Sequence, residues 1–554
     1  MKTDPGKALS PLILLFVLSM LPLSMSCKFD LFGGDSVNGT GSGAGSGSGG
    51  NEPVFPPMVF LADRDTDGTV ELYVSFDEGA EIVKLSGNMV FGGNVVDFQV
   101  SPDGGSVAYV ADQARDEILE LYVVPVDKTA NENAVKISGP LMAGSGITQF
   151  SWAPDSSRVA YIADQDVEDL FELYTNLPEG GSNLRISQRI GLDRDVDEFA
   201  WAPNSQKIAY LANHNLLTAI DLYTALPDVF SSGQQNSSGV AADQKVISFK
   251  WSPGSTLIAF IADKGGTGFT DFFRLYTTSP NNSNNILVSG NLDSASDVRV
   301  FKWMPNGMRI AYVVELAGGG FELFATLRDI EPSILISNDL EDADEDNFAW
   351  APDSSRIAYI ADQGGTGVFE LFTSTPDGGT IRLVSDLPGS PVLNRRVSGF
   401  QWQPDSAKIA YLADQDIDQK FELYVSPNDN NDANEKVSGT PMAGEGVVSF
   451  EWSPDGERIA YSADQNASGV FELFASAPDG STNDRVSGAP MAGQGISSFG
   501  WAWAPDSSAI GYIADQNAPA IDELYASQPD GGHNTRLSGN LVNGGDVFDF
   551  EWVP

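Results

Sequence analysis

The sequence predicts an all-β fold, a β-propeller of four-stranded antiparallel blades in ten repeats. Three observations carry that expectation. A unit of about fifty residues recurs along the chain, each unit holds four strand-like segments parted by turns, and the array begins and ends on complementary half-units. A fixed period of this size marks an array of one supersecondary unit.

The first strand of each unit ends in an aromatic-x-Pro step. It stands at Trp152/Pro154, Trp201/Pro203, Trp251/Pro253, Trp303/Pro305, Trp350/Pro352, Trp402/Pro404, Trp452/Pro454, Trp503/Pro505 and Trp552/Pro554, with a degenerate copy at Val100/Pro102. In the unit beginning near Asn347 this strand is Phe348-Ala-Trp350, stopped by the turn sequence Pro352-Asp353-Ser354. The second strand, Ile357-Ala-Tyr-Ile-Ala361, is apolar on both faces, as a strand sandwiched between neighbouring sheets must be. The third, Phe369-Glu-Leu-Phe-Thr373, alternates and ends in Pro376-Asp-Gly-Gly379. The fourth is Ile381-Arg-Leu-Val-Ser385. Short turns imply an antiparallel meander. One meander cannot bury both faces alone, so the sheets stack, and radial stacking of such sheets makes a propeller.

The array opens at Met58-Val-Phe-Leu-Ala-Asp63, a second strand, and closes at Phe550-Glu-Trp-Val-Pro554, a first strand. The C-terminal strand therefore completes the N-terminal blade and leaves no open edge. One complementary pair closes one ring. Two five-bladed propellers in tandem are the alternative, and they would need a second closure in mid-chain.

Trp452-Ser-Pro-Asp-Gly-x-x-Ile-Ala-Tyr461 resembles the repeat of the TolB-like, or PD40 (WD40-like), propellers, and the resemblance covers nearly all of 58–554. It implies the propeller fold. It leaves function open, because peptidases, periplasmic binding proteins and scaffolds share the repeat. The α/β domain that precedes the propeller in TolB has no counterpart here, and the Gly-x-Ser-x-Gly motif of the hydrolase relatives does not occur.

Residues 1–26 read as a secretory signal, with Lys2 and Lys7 before an apolar stretch from Leu9 to Leu23. Leu23-Ser-Met-Ser-Cys27 resembles a bacterial lipobox, although Ser24 stands where the motif prefers Leu. Cys27 is the single cysteine, so no intramolecular disulfide competes for it. The Gly/Ser tract Gly33–Gly50 follows, which makes 27–57 a lipid anchor and flexible tether ahead of the array at 58–554. Lys28 is not the Asp associated with inner-membrane retention, so the resemblance implies an exported outer-membrane lipoprotein of the bacterial envelope, facing periplasm or surface.

Acidic residues number 76 against 31 basic, a net charge of −45. Nucleic acid and anionic bilayers are thereby excluded as partners of the bare surface. In a meander, the first-to-second and third-to-fourth turns share one face of the ring. The second-to-third turns and the links between blades share the other. The basic residues Lys84, Lys136, Arg185, Lys245, Arg382, Lys436, Arg485 and Arg536 open fourth strands and are expected near the former face. The acidic loops Asp63–Asp67, Asp164–Asp169, Asp193–Glu198, Asp339–Asp346 and Asp414–Asp418 fall on the latter, which suits cations or a basic partner.

In most units an Asp ends the second strand and a Glu opens the third, as Asp164 with Glu172 and Asp362 with Glu370. Like charges across a hairpin destabilise it, and Ca2+ is the hard cation that would compensate. Asp63, Asp65 and Asp67, with Glu71 nearby, have the Asp-x-Asp-x-Asp-Gly start of a calcium loop. The bland alternative is that each Asp caps its own turn. His214 and His533 are the two histidines, and no nucleophile motif accompanies either, so no catalytic or cofactor-binding residue is assigned. The expectation is a non-enzymatic, lipid-tethered binding scaffold presenting an acidic loop face to an envelope protein or glycan. A calcium-dependent hydrolase, as phytase-like propellers are, is the alternative.

Overall fold

In the computed structural model the ring unit runs from Glu52 to Pro554. The structure describes residues 55–554 except 129–133, 143, 189–194, 214–218, 242–243, 265–271, 291, 294, 386, 388–394, 429–433, 440–445, 489–494 and 518–519. Cys27, the signal, the tether up to residue 54 and His214 lie outside the described residues, whereas Phe55, at the end of the expected tether, is buried in the ring.

Forty strands form eight four-stranded sheets and one of eight strands, all antiparallel. The eight-stranded sheet is two blades joined where Leu340, at the end of the long strand Ile330–Leu340, pairs with Ala361. That makes ten blades, numbered here by their second strands from Met58–Ala62 onward. Blade 1 takes its first strand from the far end of the chain. Val547–Trp552 pairs with Met58–Ala62 in the register Met58↔Trp552 to Leu61↔Asp549. The ring closes as the half-units predict.

The central residues of the second strands are buried, and their two faces differ in size. In blade 7, Ile357, Tyr359 and Ala361 pack on Ala311, Val313, Leu323 and Ala325 of blade 6. On the other face Ala358 and Ile360 meet Val397, Phe400, Ile409 and Tyr411 of blade 8. A bulky tyrosine face thus seats on the alanine face of the preceding blade, which is how alternating large and small residues fill a layer. Each central ring also stacks on the third strand of its own blade, as Tyr161 does on Tyr174 at 5.5 Å.

The aromatic-x-Pro step does more than end a strand. Each Trp indole N–H donates to a backbone carbonyl in the first strand of the preceding blade. Trp152 reaches Gln99 O at 3.1 Å, Trp303 reaches Lys250 O at 3.0 Å, and Trp552 reaches Ala502 O at 3.1 Å. The series runs through Trp201, Trp251, Trp350, Trp402, Trp452 and Trp503 without a break at the middle of the ring. At the tenth interface the degenerate copy has no indole, and Val100 N–H donates to the Glu551 carboxylate at 3.0 Å. Ten interfaces tied in one series make one ring, not two five-bladed propellers.

Serine in the Pro-Asp-Ser turn adds a second tie. Ser156, Ser205, Ser255, Ser354, Ser406 and Ser507 hold φ of 56–66°, a region that favours glycine. Each hydroxyl accepts a backbone N–H from the turn of the preceding blade, as Ser205 does from Asp155 at 3.0 Å and Ser406 from Asp353 at 3.0 Å.

Candidate binding face

The links and second-to-third turns meet on one face, and the recurring Asp organises it. Asp112 Oδ2 accepts the Glu117 N–H at 3.0 Å, closing its own turn, while Oδ1 accepts Asn94 N–H at 2.6 Å from the incoming link. The same two bonds recur at Asp63 with Gly68 and Asp546, at Asp164 with Asp169 and Gly146, and at Asp414 with Gln419 and Arg396. A buried carboxylate that accepts backbone N–H groups on both oxygens is satisfied without a cation.

The Glu that opens the third strand has other partners. Glu120 Oε2 accepts the Tyr122 hydroxyl at 2.7 Å, and Oε1 accepts Lys136 Nζ at 2.8 Å and Arg115 at 3.2 Å. Burial acts upward on this carboxyl, but the bonds from Lys136, Tyr122 and Arg115 outweigh it and hold it below the usual range. Glu172 is bonded to Tyr174 and Arg185, yet burial dominates there and pushes it up. Glu71 with Tyr73 and Lys84, Glu422 with Tyr424 and Lys436, and Glu523 with Tyr525 and Arg536 repeat the arrangement. Glu472 pairs with Arg485 at 3.0 Å.

This corrects the expected placement of the basic residues. Lys84, Lys136, Arg185, Lys436, Arg485 and Arg536 end their short fourth strands rather than open them, and they lean toward the acidic face, where they neutralise the third-strand Glu. Lys245 is not on a fourth strand at all; it bridges Ile220 just before a first strand. The signal was in the sequence, since blades with a Glu in this place and a base ending the fourth strand are the blades that form the pair. Where Arg274 takes the Glu place, it donates to the link carbonyls of Ser296 and Asp293 instead.

The four residues singled out for a cation differ in their settings. Asp63 is buried and bonded to backbone, and Glu71 is held by Tyr73 and Lys84. Asp65 and Asp67 remain on the exposed turn, Asp65 in contact with Arg64 at 2.9 Å. Among the described residues no three of His, Cys, Asp and Glu gather as a metal-holding group. His533 is half-buried rather than free in solvent. Its Nε2 lies 2.7 Å from Glu78, and its ring meets Phe55 edge-on at 5.3 Å.

What stays open to solvent on this face is a set of carboxylates on the turns and links. Asp65, Asp67, Asp116, Glu117, Asp166, Glu168, Asp169, Asp344, Glu345, Asp346 and Asp416 are exposed. A basic interruption on this face is a groove of about 530 Å³ lined by Arg395, Arg396, Glu341, Phe369, Asp414 and Phe421. Arg396 is paired there with Glu341 at 3.1 Å.

No family model and no curated protein matches the chain. Among solved structures, a eukaryotic initiation factor is similar at 11% identity and TM-score 0.48, over 90% of this chain and 99% of that one. Dipeptidyl peptidase 4 of Porphyromonas gingivalis is similar at 11% identity and TM-score 0.47, over 75% of this chain and 64% of that one. An oligogalacturonate lyase in complex with manganese is similar at 12% identity and TM-score 0.35, over 68% and 98%. These likenesses carry no argument about function, and the propeller stands on the strand pairing of this chain.

Proposed function

We propose that this chain is a non-enzymatic binding scaffold of the bacterial cell envelope, exported, lipid-anchored through Cys27, and holding a protein or glycan partner on the link face of its ring. One observation carries the reading. The carboxylates within the blades are engaged by backbone N–H groups, Tyr, Lys and Arg, whereas those on the turns and links stay exposed on one face of an interlocked ring. A rigid platform with a strongly signed loop face suits selective association, because such a field steers a partner of opposite charge and repels others. The resemblance to TolB-like repeats and the lipobox-like Cys27 support the envelope and outer-membrane placement.

Affinity capture of the tagged, anchored protein from its own envelope, split into calcium and EDTA washes, tests it. A discrete partner enriched in either wash is the expected result, and loss of that partner in EDTA alone makes Ca2+ a component of the contact. Enrichment of nothing, together with turnover of a phosphate ester that chelation abolishes, overturns the scaffold in favour of a calcium-dependent hydrolase.

A further inference from the structure

We infer that the link face of blades 1 to 3 is a docking surface for a cationic amphipathic polypeptide segment. The inference rests on the binding-scaffold reading and names the chemistry of the partner.

The links that enter blades 1, 2 and 3 each pack on the second-to-third turn of the blade they enter. Val90 N–H donates to Gln113 O at 3.2 Å, and a Cβ on Gly92 would stand 2.8 Å from Asp116 Oδ1. A Cβ on Gly144 would stand 3.6 Å from Glu168 Oε1, and one on Gly544 would stand 3.3 Å from Asp67 Oδ2. These three links therefore run beside the exposed carboxylates of the turns in blades 1, 2 and 3.

What they set there is apolar. Phe91 is 100% exposed, beside Val90, and Met142 is 51% exposed. Val167 adds to them from the turn of blade 3, and Phe548 and Val96 from the second positions of adjacent first strands. Val90, Phe91, Val96, Met142, Val167 and Phe548 are thus exposed together on the link face of blades 1 to 3 and the links between them. Scattered apolar residues on a surface need no explanation, but an arc of them beside carboxylates does.

Charge complementarity selects the occupant. An anionic bilayer or nucleic acid meets Asp67, Asp116, Glu117, Asp166 and Glu168 with like charge. A purely apolar partner would strip water from those carboxylates without replacing it. A purely cationic one would leave Phe91, Met142 and Phe548 in water. A segment carrying Lys or Arg along one stripe and apolar side chains along another satisfies both, and flexible Met142 adapts to its shape.

The test titrates the full chain with two labelled peptides, a Leu/Lys amphipathic peptide and an oligolysine of equal charge, at physiological salt. The amphipathic peptide is expected to bind at least about tenfold tighter. Phe91→Ser with Met142→Ser should bring it to the oligolysine level and leave oligolysine unchanged, while Asp116→Asn with Glu168→Gln should weaken both. All four positions are exposed, and an unchanged thermal midpoint shows the variants folded. Equal affinity of the two peptides, or indifference to the Phe91/Met142 change, overturns the inference and leaves a plain polyanionic surface. The two readings fail separately. If envelope capture retains a partner that the Phe91/Met142 variant holds equally well, the docking surface falls and the scaffold stands.

Discussion

At the scale of single residues, one indole N–H per blade is the tie between neighbours. Trp152 is 5% exposed and donates to Gln99 O at 3.1 Å. Trp152→Phe keeps an aromatic body and removes that bond, which costs about 0.5–1.5 kcal/mol. A lower urea midpoint is expected, and an unchanged one would mean the bond is not a tie. Glu451, just before Trp452 in the first strand of blade 9, carries the opposite kind of term. Burial pushes its carboxyl up to about 7, against about 4.3 in an unfolded chain. The folded state therefore holds this proton more tightly than the unfolded one. The contribution of this group to stability is greatest below about pH 4 and is lost as pH rises toward 7, where the charged form must be accommodated. Glu451→Gln should thus stabilise the protein at pH 8 by about 1–3 kcal/mol and change nothing at pH 4. Thermal melts of both proteins at the two pH values decide it, and a gain of equal size at pH 4 would point to packing instead of charge.

At the scale of strands, the buried second strand does most of the organising, and its contact across the closure is unusually tight. Where blades 2 to 9 carry Ala just before the central aromatic of this strand, blade 10 has Gly511. A Cβ there would lie 2.5 Å from Met58 Cε, 3.0 Å from Phe550 Cε2 and 3.1 Å from Trp552 Cζ2, all in blade 1. Gly511→Ala forces those three apart. A loss of about 1–3 kcal/mol is expected, as for other overpacked cores, with Met58→Ala restoring part of it in the double variant. Additive losses in that cycle would refute the steric account. The second strand was legible in the sequence because Ile357–Ala361 is apolar on both faces, and the turns because Pro352-Asp353-Ser354 has few other uses. The fourth strand was not. Ile381–Ser385 was expected, whereas pairing covers Ile381–Leu383, and Val135–Lys136 is only two residues long. An outermost strand has a neighbour on one side only, so its length is set by the turn before it rather than by its own pattern. The two partners Glu71 and Lys84 stood in the sequence, but that they meet follows from the register Tyr73↔Lys84 across a turn of variable length.

At the scale of the whole ring, the repeat is not uniform. Blades 8, 9, 10, 1, 2 and 3 are contiguous and each carries the third-strand Glu paired with a fourth-strand Lys or Arg. Blades 4 to 6 depart from it, with Asp221 bonded to Ser237, Arg274 in the Glu place, and the 11-residue strand Ile330–Leu340, and in blade 7 Leu383 stands opposite Phe372 where the regular blades have Lys or Arg. The closure lies in the middle of the regular sector, so the joint is built from the most repetitive blades. That makes it replaceable by a strand in trans. Removing 547–554 takes away the partner of Met58–Ala62, the Trp552 bond to Ala502 and the Glu551 bond to Val100. Met58, Val59 and Phe60, all buried, then become an exposed apolar edge, a template for pairing with another chain. The truncated protein is expected to associate in a concentration-dependent way and to melt at a lower temperature than the full chain. A synthetic peptide of sequence 547–554 should bind it by strand addition, return it to the monomer and recover most of the lost thermal midpoint. Replacing the Trp552 position of that peptide with Ala should weaken the rescue. A truncated chain that stays monomeric at an unchanged midpoint would show that the ring does not depend on this closure.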